Sequence, residues 1–180
     1  MPSAPEELEV VAVVQREAAR AEDRRDDPEA RCLPTGVPRR DPYPTKIIQT
    51  DKVVVILYEG NIHSFRQIFM NQEHPKDVYP TWYGHSVGKW VKDELVVDTI
   101  GFNDKTELPG GYRHTEALHV VERFRRVTFD HLEYQATIED PNVFAKPWMV
   151  HRTLPLRTDL QRVDEFICEN NRDYSVLFKK

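Results

Sequence analysis

The sequence has few of the features that mark membrane, fibrous or nucleic-acid-binding proteins. Its longest apolar run, Val53 to Tyr58, is far shorter than the roughly 20 residues that a bilayer-spanning helix needs. Seven glycines in 180 residues exclude a collagen-like chain. Lysine and arginine together number 25 against 30 aspartates and glutamates, whereas a general nucleic-acid binder needs an excess of positive charge. We therefore expect neither nucleic acid nor a membrane among its partners.

What the chain does contain is typical of a globular protein. Three Trp, seven Tyr and eight Phe are too many for a disordered chain, even though the apolar fraction of 39 % is low. A chain of 180 residues buries roughly 70 % of the surface that its unfolded form exposes. We expect a single core.

The N-terminal residues bear on the cellular compartment of the protein. Glu6 and Glu7 stand where a secretory signal would have basic residues followed by an apolar stretch. The chain as given is therefore expected to be cytoplasmic, with an exported protein whose signal peptide has been removed as the alternative.

Only two cysteines are present, Cys32 and Cys168, near opposite ends of the chain. In the cytosol they would stay reduced and pack as small apolar side chains, which is our first expectation. The alternative is a disulfide that closes a loop of more than a hundred residues and contributes roughly 4 kcal/mol.

Two segments precede the β-rich part of the chain. Apolar residues at three- and four-residue spacing predict a helix from Pro5 to Arg25. Five prolines between Asp26 and Pro44 exclude regular structure and predict an extended strap that lies on the surface. We expect residues 1–45 to form this helix and strap, packed on a β-barrel domain of residues 46–180.

From residue 46 onwards, β-branched and aromatic residues recur with the period of two that is typical of strands. Tight turns, with no convincing helix between them, predict an antiparallel meander, which must close or fold over to hide its edges. We expect an all-β fold, an antiparallel up-and-down barrel of lipocalin-like type, with a two-sheet sandwich as the alternative. About eight strands give an interior that side chains nearly fill or that holds one small ligand. The predicted strands are residues 46–50, 52–59, 62–70, 85–91, 94–102, 114–126, 131–139, 147–155 and 161–169.

The clearest hairpin has residues 92–93 as its two-residue turn. This register pairs Val87 with Asp98 and makes His85 a diagonal neighbour of Asp98 on the same face, within reach of a hydrogen bond. A slip of one residue would separate the two side chains.

Several stretches of the chain are familiar as a set. They include CLPTGVPR at 32–39, VVILYE at 54–59 and DTIGFNDKT at 98–106. With these motifs the chain resembles a group of bacterial proteins common among acidobacterial genomes, over most of its length after the first helix. The resemblance implies no activity and no catalytic residue. Exported members of the group imply an oxidising compartment, which favours the disulfide.

Four ionisable side chains are the candidate catalytic groups. Asp98 lies in an otherwise apolar strand, where burial would raise its pKa towards the range that suits acid–base catalysis. His85 is the candidate partner base. Arg66 would bind a carboxylate or an oxyanion, and His114 with Asp104 is the alternative acid–base pair. The blander alternative is that Asp98 faces solvent or braces the turn that follows it.

Aromatic residues are the candidate substrate-binding groups. A long loop over residues 71–83 is expected to gate the mouth of the barrel, or else to pack on the strap. No His-x-His or His-Glu-x-x-His spacing occurs, so we expect no metal and no other cofactor. The predicted substrate-binding residues are Tyr58, Trp82, Tyr83, Trp90 and Asp104.

These features together predict a cofactor-independent acid–base enzyme, a lyase, isomerase or cyclase. Its partner would be a small apolar or aromatic molecule held in the barrel cavity. The alternative is a non-catalytic, lipocalin-like carrier of a small hydrophobic ligand, because barrels of this type support both roles. A homodimer is considered as the assembly, and an interaction module that uses the strap is a third alternative.

Overall fold

The computed structural model describes residues 27–39, 43–60, 62, 64–160, 162–164 and 168. The prediction of an all-β fold is confirmed, because eight strands follow one another along the chain. The strands are β1 Thr45–Gln49, β2 Val53–Tyr58, β3 Phe65–Met70, β4 His85–Val91, β5 Glu94–Ile100, β6 His119–Arg126, β7 His131–Glu139 and β8 Trp148–Pro155.

The eight strands form one sheet in chain order. The sheet curls into a half-barrel, consistent with the predicted lipocalin-like barrel. Within the described strands, no hydrogen-bonded ladder joins β1 to β8. We call the gap between these two edge strands the seam.

One pair of strands departs from the predicted antiparallel meander. β3 and β4 run parallel, with Ile68 opposite Ser86 and Met70 opposite Gly88. A parallel pair needs a long crossover that returns the chain to the starting end of the first strand. Residues 71–84 are that crossover. This segment contains the loop predicted to gate a barrel mouth, and it is the reason why β4 runs in the same direction as β3. The other neighbouring pairs are antiparallel.

Two predicted strands begin later than expected. β3 starts at Phe65 rather than at residue 62, and β6 starts at His119 rather than at residue 114. Residues before β6 bond to loops instead of a neighbouring strand: the backbone N–H of Thr115 donates to the Asp140 carboxylate at 2.6 Å.

Two further predictions concern the ends of the chain. The helix over residues 5–25 lies outside the described residues. The ninth strand, over 161–169, lies partly outside them, and residues 162–164 and 168 are not in a strand.

Alternation along the strands gives the sheet a buried concave face and a partly exposed outer face. The strap and two loops cover the concave face, because residues of both kinds belong to the same buried cluster as the strands. The strands contribute Val54, Ile68, Val97, Val120, Tyr134 and Ile138 to this cluster, and the covering segments contribute Val37, Phe102, Leu108, Leu118, Val143 and Phe144.

A buried ion pair occupies the middle of the concave face. Arg66 and Glu122 are 3 % and 2 % exposed, and Nη2 of Arg66 lies 2.5 Å from Oε2 of Glu122. Arg66 also donates to the hydroxyls of Ser86 at 3.0 Å and Thr99 at 2.8 Å, and the Tyr134 hydroxyl donates to Glu122 at 2.9 Å. Burial opposes the charge on Arg66, but the Glu122 carboxylate raises its pKa above the ordinary value. The guanidinium therefore stays charged inside the sheet.

The strap is fastened to one of the covering loops. Arg39 donates two hydrogen bonds to the Asp27 carboxylate, at 2.9 and 2.7 Å. Arg39 also lies 3.8 Å from Glu107, which pairs with Arg113 at 3.3 Å. Glu107 is buried, so both cations help to compensate a carboxylate that has lost most of its water.

Cys32 and Cys168 form a disulfide across a sequence separation of 136 residues. The expectation of two reduced thiols is therefore wrong, and the alternative holds. The fold places the two Cα atoms 5.7 Å apart, within the range that a disulfide requires.

The described residues include no helix that is both long and apolar enough to cross a membrane.

Replacing Glu122 by leucine should destabilise the protein by about 3–5 kcal/mol, because Arg66 is left as an unpaired buried charge. The double variant Glu122→Leu with Arg66→Met removes both charges and should recover most of this loss. Urea unfolding of the wild type, both single variants and the double variant measures the coupling. A double variant no more stable than Glu122→Leu alone would show that the pair does not act as a unit.

Breaking the disulfide should lower the free energy of unfolding by about 2–5 kcal/mol, because the unfolded chain gains the freedom that the long closed loop denies it. Urea unfolding with and without a reductant measures the loss, and the double variant Cys32→Ser with Cys168→Ser is the control. The reductant should leave this variant unaffected. Equal stability of the reduced and oxidised wild type would contradict the prediction.

Candidate active site

The β4–β5 hairpin has the register predicted from the sequence. Val87 pairs with Asp98, and His85 pairs with Ile100, so His85 and Asp98 share one face of the sheet. That face is the outer one, and the Asp98 side chain is 40 % exposed. Of the two alternatives for Asp98, the one in which it lies on the solvent side therefore holds, because strand alternation turns its neighbour Thr99 inwards.

His74 reaches this face from the β3–β4 crossover. Its Nε2 lies 2.8 Å from Oδ1 of Asp98, and its Nδ1 lies 2.9 Å from Nδ1 of His85. The predicted neighbours His85 and Asp98 are therefore linked through a third side chain. Sequence reasoning missed His74, because a loop has no periodicity from which to assign the direction of a side chain.

His119, at the start of β6, approaches Asp98 from the other side. Its Nε2 lies 2.9 Å from Oδ2 of Asp98, and its Nδ1 lies 3.7 Å from Oε2 of Glu139. Each oxygen of Asp98 thus accepts from a different imidazole. We call His74, His85, Asp98 and His119 the histidine cluster.

The crossover that carries His74 is fastened at its far end. The backbone N–H of Thr81 donates to the carbonyl of Gly101 at 3.0 Å, and the N–H of Asn103 donates to the carbonyl of Thr81 at 2.8 Å. Gly101 has a φ of +72°, and a Cβ there would lie 2.2 Å from a methyl group of Val78. Only glycine permits this close approach, which holds the crossover against the end of β5.

The environment sets the charges within the cluster. Burial would raise the pKa of Asp98, but hydrogen bonds from His119 and His74 outweigh it and hold the pKa below the usual 3.8. Partial burial and the nearby His74 both lower the pKa of His85 below the usual 6.5. At neutral pH the cluster therefore combines an ionised carboxylate with a neutral imidazole at His85.

The cluster is organised around a carboxylate and not around a cation site. Across the described part of the chain, no group of three or more His, Cys, Asp or Glu side chains is arranged to hold a metal ion. Nε2 of His74 and Nε2 of His119 are directed at Asp98, so they do not converge on a common point in space.

The guanidinium of Arg66 is not available to bind a substrate anion. Its guanidinium is already bonded to Glu122, Ser86 and Thr99 on the concave face, because burial requires each charge to have a partner there. The prediction of Arg66 as an anion-binding residue is therefore not supported by its position.

Two of the predicted substrate-binding residues contact each other beside the core. The rings of Tyr58 and Tyr83 stack with centroids 5.8 Å apart, and the Tyr83 hydroxyl forms a short hydrogen bond with the hydroxyl of Ser64. Trp82 is half-buried, whereas Trp90 and Asp104 are exposed. The structure does not bring these five predicted residues together as one pocket wall.

His114 is buried away from the histidine cluster. Its Nδ1 donates to the carbonyl of Thr115 at 3.0 Å, so its Nε2 accepts from the Thr106 hydroxyl at 2.6 Å. Burial lowers its pKa despite the hydrogen bond to Thr115. No hydrogen bond joins it to the exposed Asp104 among the described residues, so the predicted alternative acid–base pair is not formed.

Comparison of the chain with protein-family models, with curated proteins and with solved structures found no match. Function is therefore inferred from the geometry of the site itself.

The free energy of unfolding should fall as the pH drops below about 6.5. The unfolded chain then takes up a proton at His114, whereas the folded protein, with its lowered pKa, does not. Urea unfolding between about pH 7.5 and 5 measures this slope. The variant His114→Gln should show a shallower slope, and His151→Gln, at an exposed position, should keep the slope of the wild type. Equal slopes for His114→Gln and the wild type would contradict the prediction.

Proposed function

We propose that the protein is a cofactor-independent acid–base enzyme whose catalytic site is the histidine cluster. The observation that carries this proposal is the hydrogen-bonded chain from His85 through His74 to Asp98. A carboxylate that orients an imidazole and balances its charge is a recurring arrangement in general-base catalysis. The reaction class is proton transfer within one substrate, as in a lyase, an isomerase or a cyclase.

The chain of hydrogen bonds assigns a proton to each nitrogen. Asp98 is ionised and can only accept, so Nε2 of His74 donates to it. Nδ1 of His74 then accepts from the Nδ1–H of His85. Nε2 of His85 keeps its lone pair, and no described residue is hydrogen-bonded to it. We assign this nitrogen as the general base.

After His85 takes up a proton, the hydrogen bonds through His74 to Asp98 compensate its positive charge. When Nε2 takes a proton from the substrate, His85 becomes an imidazolium whose Nδ1–H bond to His74 strengthens. The Asp98 carboxylate compensates the positive charge through His74. Returning the proton to another atom of the same substrate completes an isomerisation, and returning it to a leaving group completes an elimination. The enzyme ends each cycle unchanged, so no cofactor is consumed.

The surroundings of His85 support an apolar or aromatic substrate. The Phe69 ring stacks on the imidazole with centroids 5.2 Å apart, and Ile100 lies opposite His85 on the neighbouring strand. A flat apolar group gains most from contact with such neighbours. The substrate would bind at the outer face, beside the partly exposed base, and not in the barrel interior.

The disulfide supports the exported alternative for the compartment. Disulfides persist in oxidising compartments and are rare in the cytosol, and Cys32 is bonded to Cys168. We propose that the enzyme works in an oxidising compartment.

Wild-type protein should catalyse exchange of acidic C–H hydrogens in a panel of aryl ketones and β-dicarbonyl compounds in D₂O, followed by proton NMR. His85→Gln should reduce the rate by about 10²–10⁴-fold, because it removes the base. Asp98→Asn should also reduce it, since the orientation and charge balance of His74 are lost. His151→Gln is the control and should exchange at the wild-type rate. Exchange that persists in His85→Gln would contradict the assignment.

A second readout does not depend on the choice of substrate. Nitrogen NMR of the histidines should find the lone pair of neutral His85 at Nε2. A lone pair at Nδ1 would exclude the proposed relay.

A further inference from the structure

The seam between β1 and β8 opens into a groove of about 750 Å³. This volume lies within the range of about 300–1,000 Å³ that is typical of small-molecule sites. The groove lies apart from the histidine cluster, whose residues do not line it. Nothing in the proposed catalysis uses it.

Apolar side chains form much of the wall. Five large hydrophobic residues that are exposed in the described structure line the groove, and a contiguous exposed apolar surface commonly marks a binding site. Leu132 and Leu154 continue the wall inwards, since both pack against the core. The exposed members are Tyr43, Ile47, Phe129, Leu156 and Leu160.

The remaining wall is positively charged. Five lysine and arginine residues line the groove, and none of the described lining residues is an aspartate or glutamate. This is unexpected in a protein with a net charge of −5. The five cations are Lys46, Arg126, Arg152, Arg157 and Arg162.

Three of these cations have no anionic partner within the described structure. Arg157 pairs with Asp159, and Arg162 pairs with Asp164. Lys46, Arg126 and Arg152, in contrast, take part in no salt bridge with a described residue, and the Arg126 guanidinium is hydrogen-bonded to the backbone carbonyl of Phe129. Arg152 is also half-buried, and a guanidinium that has lost part of its water gains most from a bidentate anion.

We propose that this groove binds an amphipathic carboxylate, a single acyl or arylalkyl chain that ends in one carboxylate. The carboxylate would bind Arg152, with Lys46 adding charge from the opposite edge strand. The apolar chain would lie along Ile47, Leu154 and their neighbours. Charge complementarity selects this occupant over a neutral or cationic lipid, because the groove offers apolar contacts to all three but an unpaired guanidinium only to the anion.

Fluorescence of 11-(dansylamino)undecanoate tests the proposal with the full-length, disulfide-bonded protein. The probe should bind, and dodecanoate should displace it at least about tenfold more effectively than dodecanol. Arg152→Gln should weaken binding of dodecanoate about tenfold and leave that of dodecanol unchanged. Arg152→Lys keeps the charge and loses the bidentate geometry, so its affinity for dodecanoate should lie between those of the wild type and Arg152→Gln. Arg125→Gln, at an exposed arginine outside the groove, is the matched control.

Each other outcome overturns the proposal. No probe binding, or equal displacement by dodecanoate and dodecanol, would show that the groove does not select an anion. Unchanged dodecanoate binding in a folded Arg152→Gln variant would place the carboxylate elsewhere. His85→Gln separates this site from the proposed active site, because it should reduce proton exchange by about 10²–10⁴-fold and leave probe binding intact. Loss of probe binding in His85→Gln would locate the probe at the histidine cluster and contradict binding in the groove.

Discussion

The sheet depends on the buried hydrogen-bond network around the guanidinium of Arg66. The guanidinium connects one side chain from each of five consecutive strands, directly to Ser86, Thr99 and Glu122 and through Glu122 to Tyr134. A slip of one residue in any of these strands would turn its polar partner outwards and leave a buried group unsatisfied. The network therefore fixes the register of β3 to β7. The parallel β3–β4 pair needs this most, because it is joined over only three residue pairs.

The same strands place the candidate chemistry on the opposite face. Along β4 and β5, Ser86 and Thr99 point inwards while their sequence neighbours His85 and Asp98 point outwards. The inner hydrogen bonds thus hold the hairpin that carries the proposed base, which is how a rigid element keeps a reactive group in position. The β3–β4 crossover then brings His74 to the same outer face. A departure from the simple meander is what completes the histidine cluster.

Sequence patterns predicted the elements whose signal is local. Period-two alternation located the eight strands, and the two-residue turn gave the pairing of Val87 with Asp98. The patterns could not show which face is concave, because both faces of β5 carry apolar residues, so the side on which Asp98 lies stayed open. They also could not show that β4 runs parallel to β3 or that His74 meets Asp98, since both depend on the path of a loop. The ion pair of Arg66 with Glu122 likewise joins residues far apart in sequence, and a local pattern cannot pair them.

The disulfide also determines how this molecule carries mechanical load. Every strand of the sheet lies between Cys32 and Cys168, so the whole half-barrel is contained within one covalent ring. Tension applied to the two ends of the chain passes through the sulfur–sulfur bond and bypasses the sheet. A pull that would peel the edge strands of an open chain therefore leaves them unloaded. For the same reason, a single protease cut within the sheet yields two fragments that stay joined, and the seam can widen only as far as the ring allows.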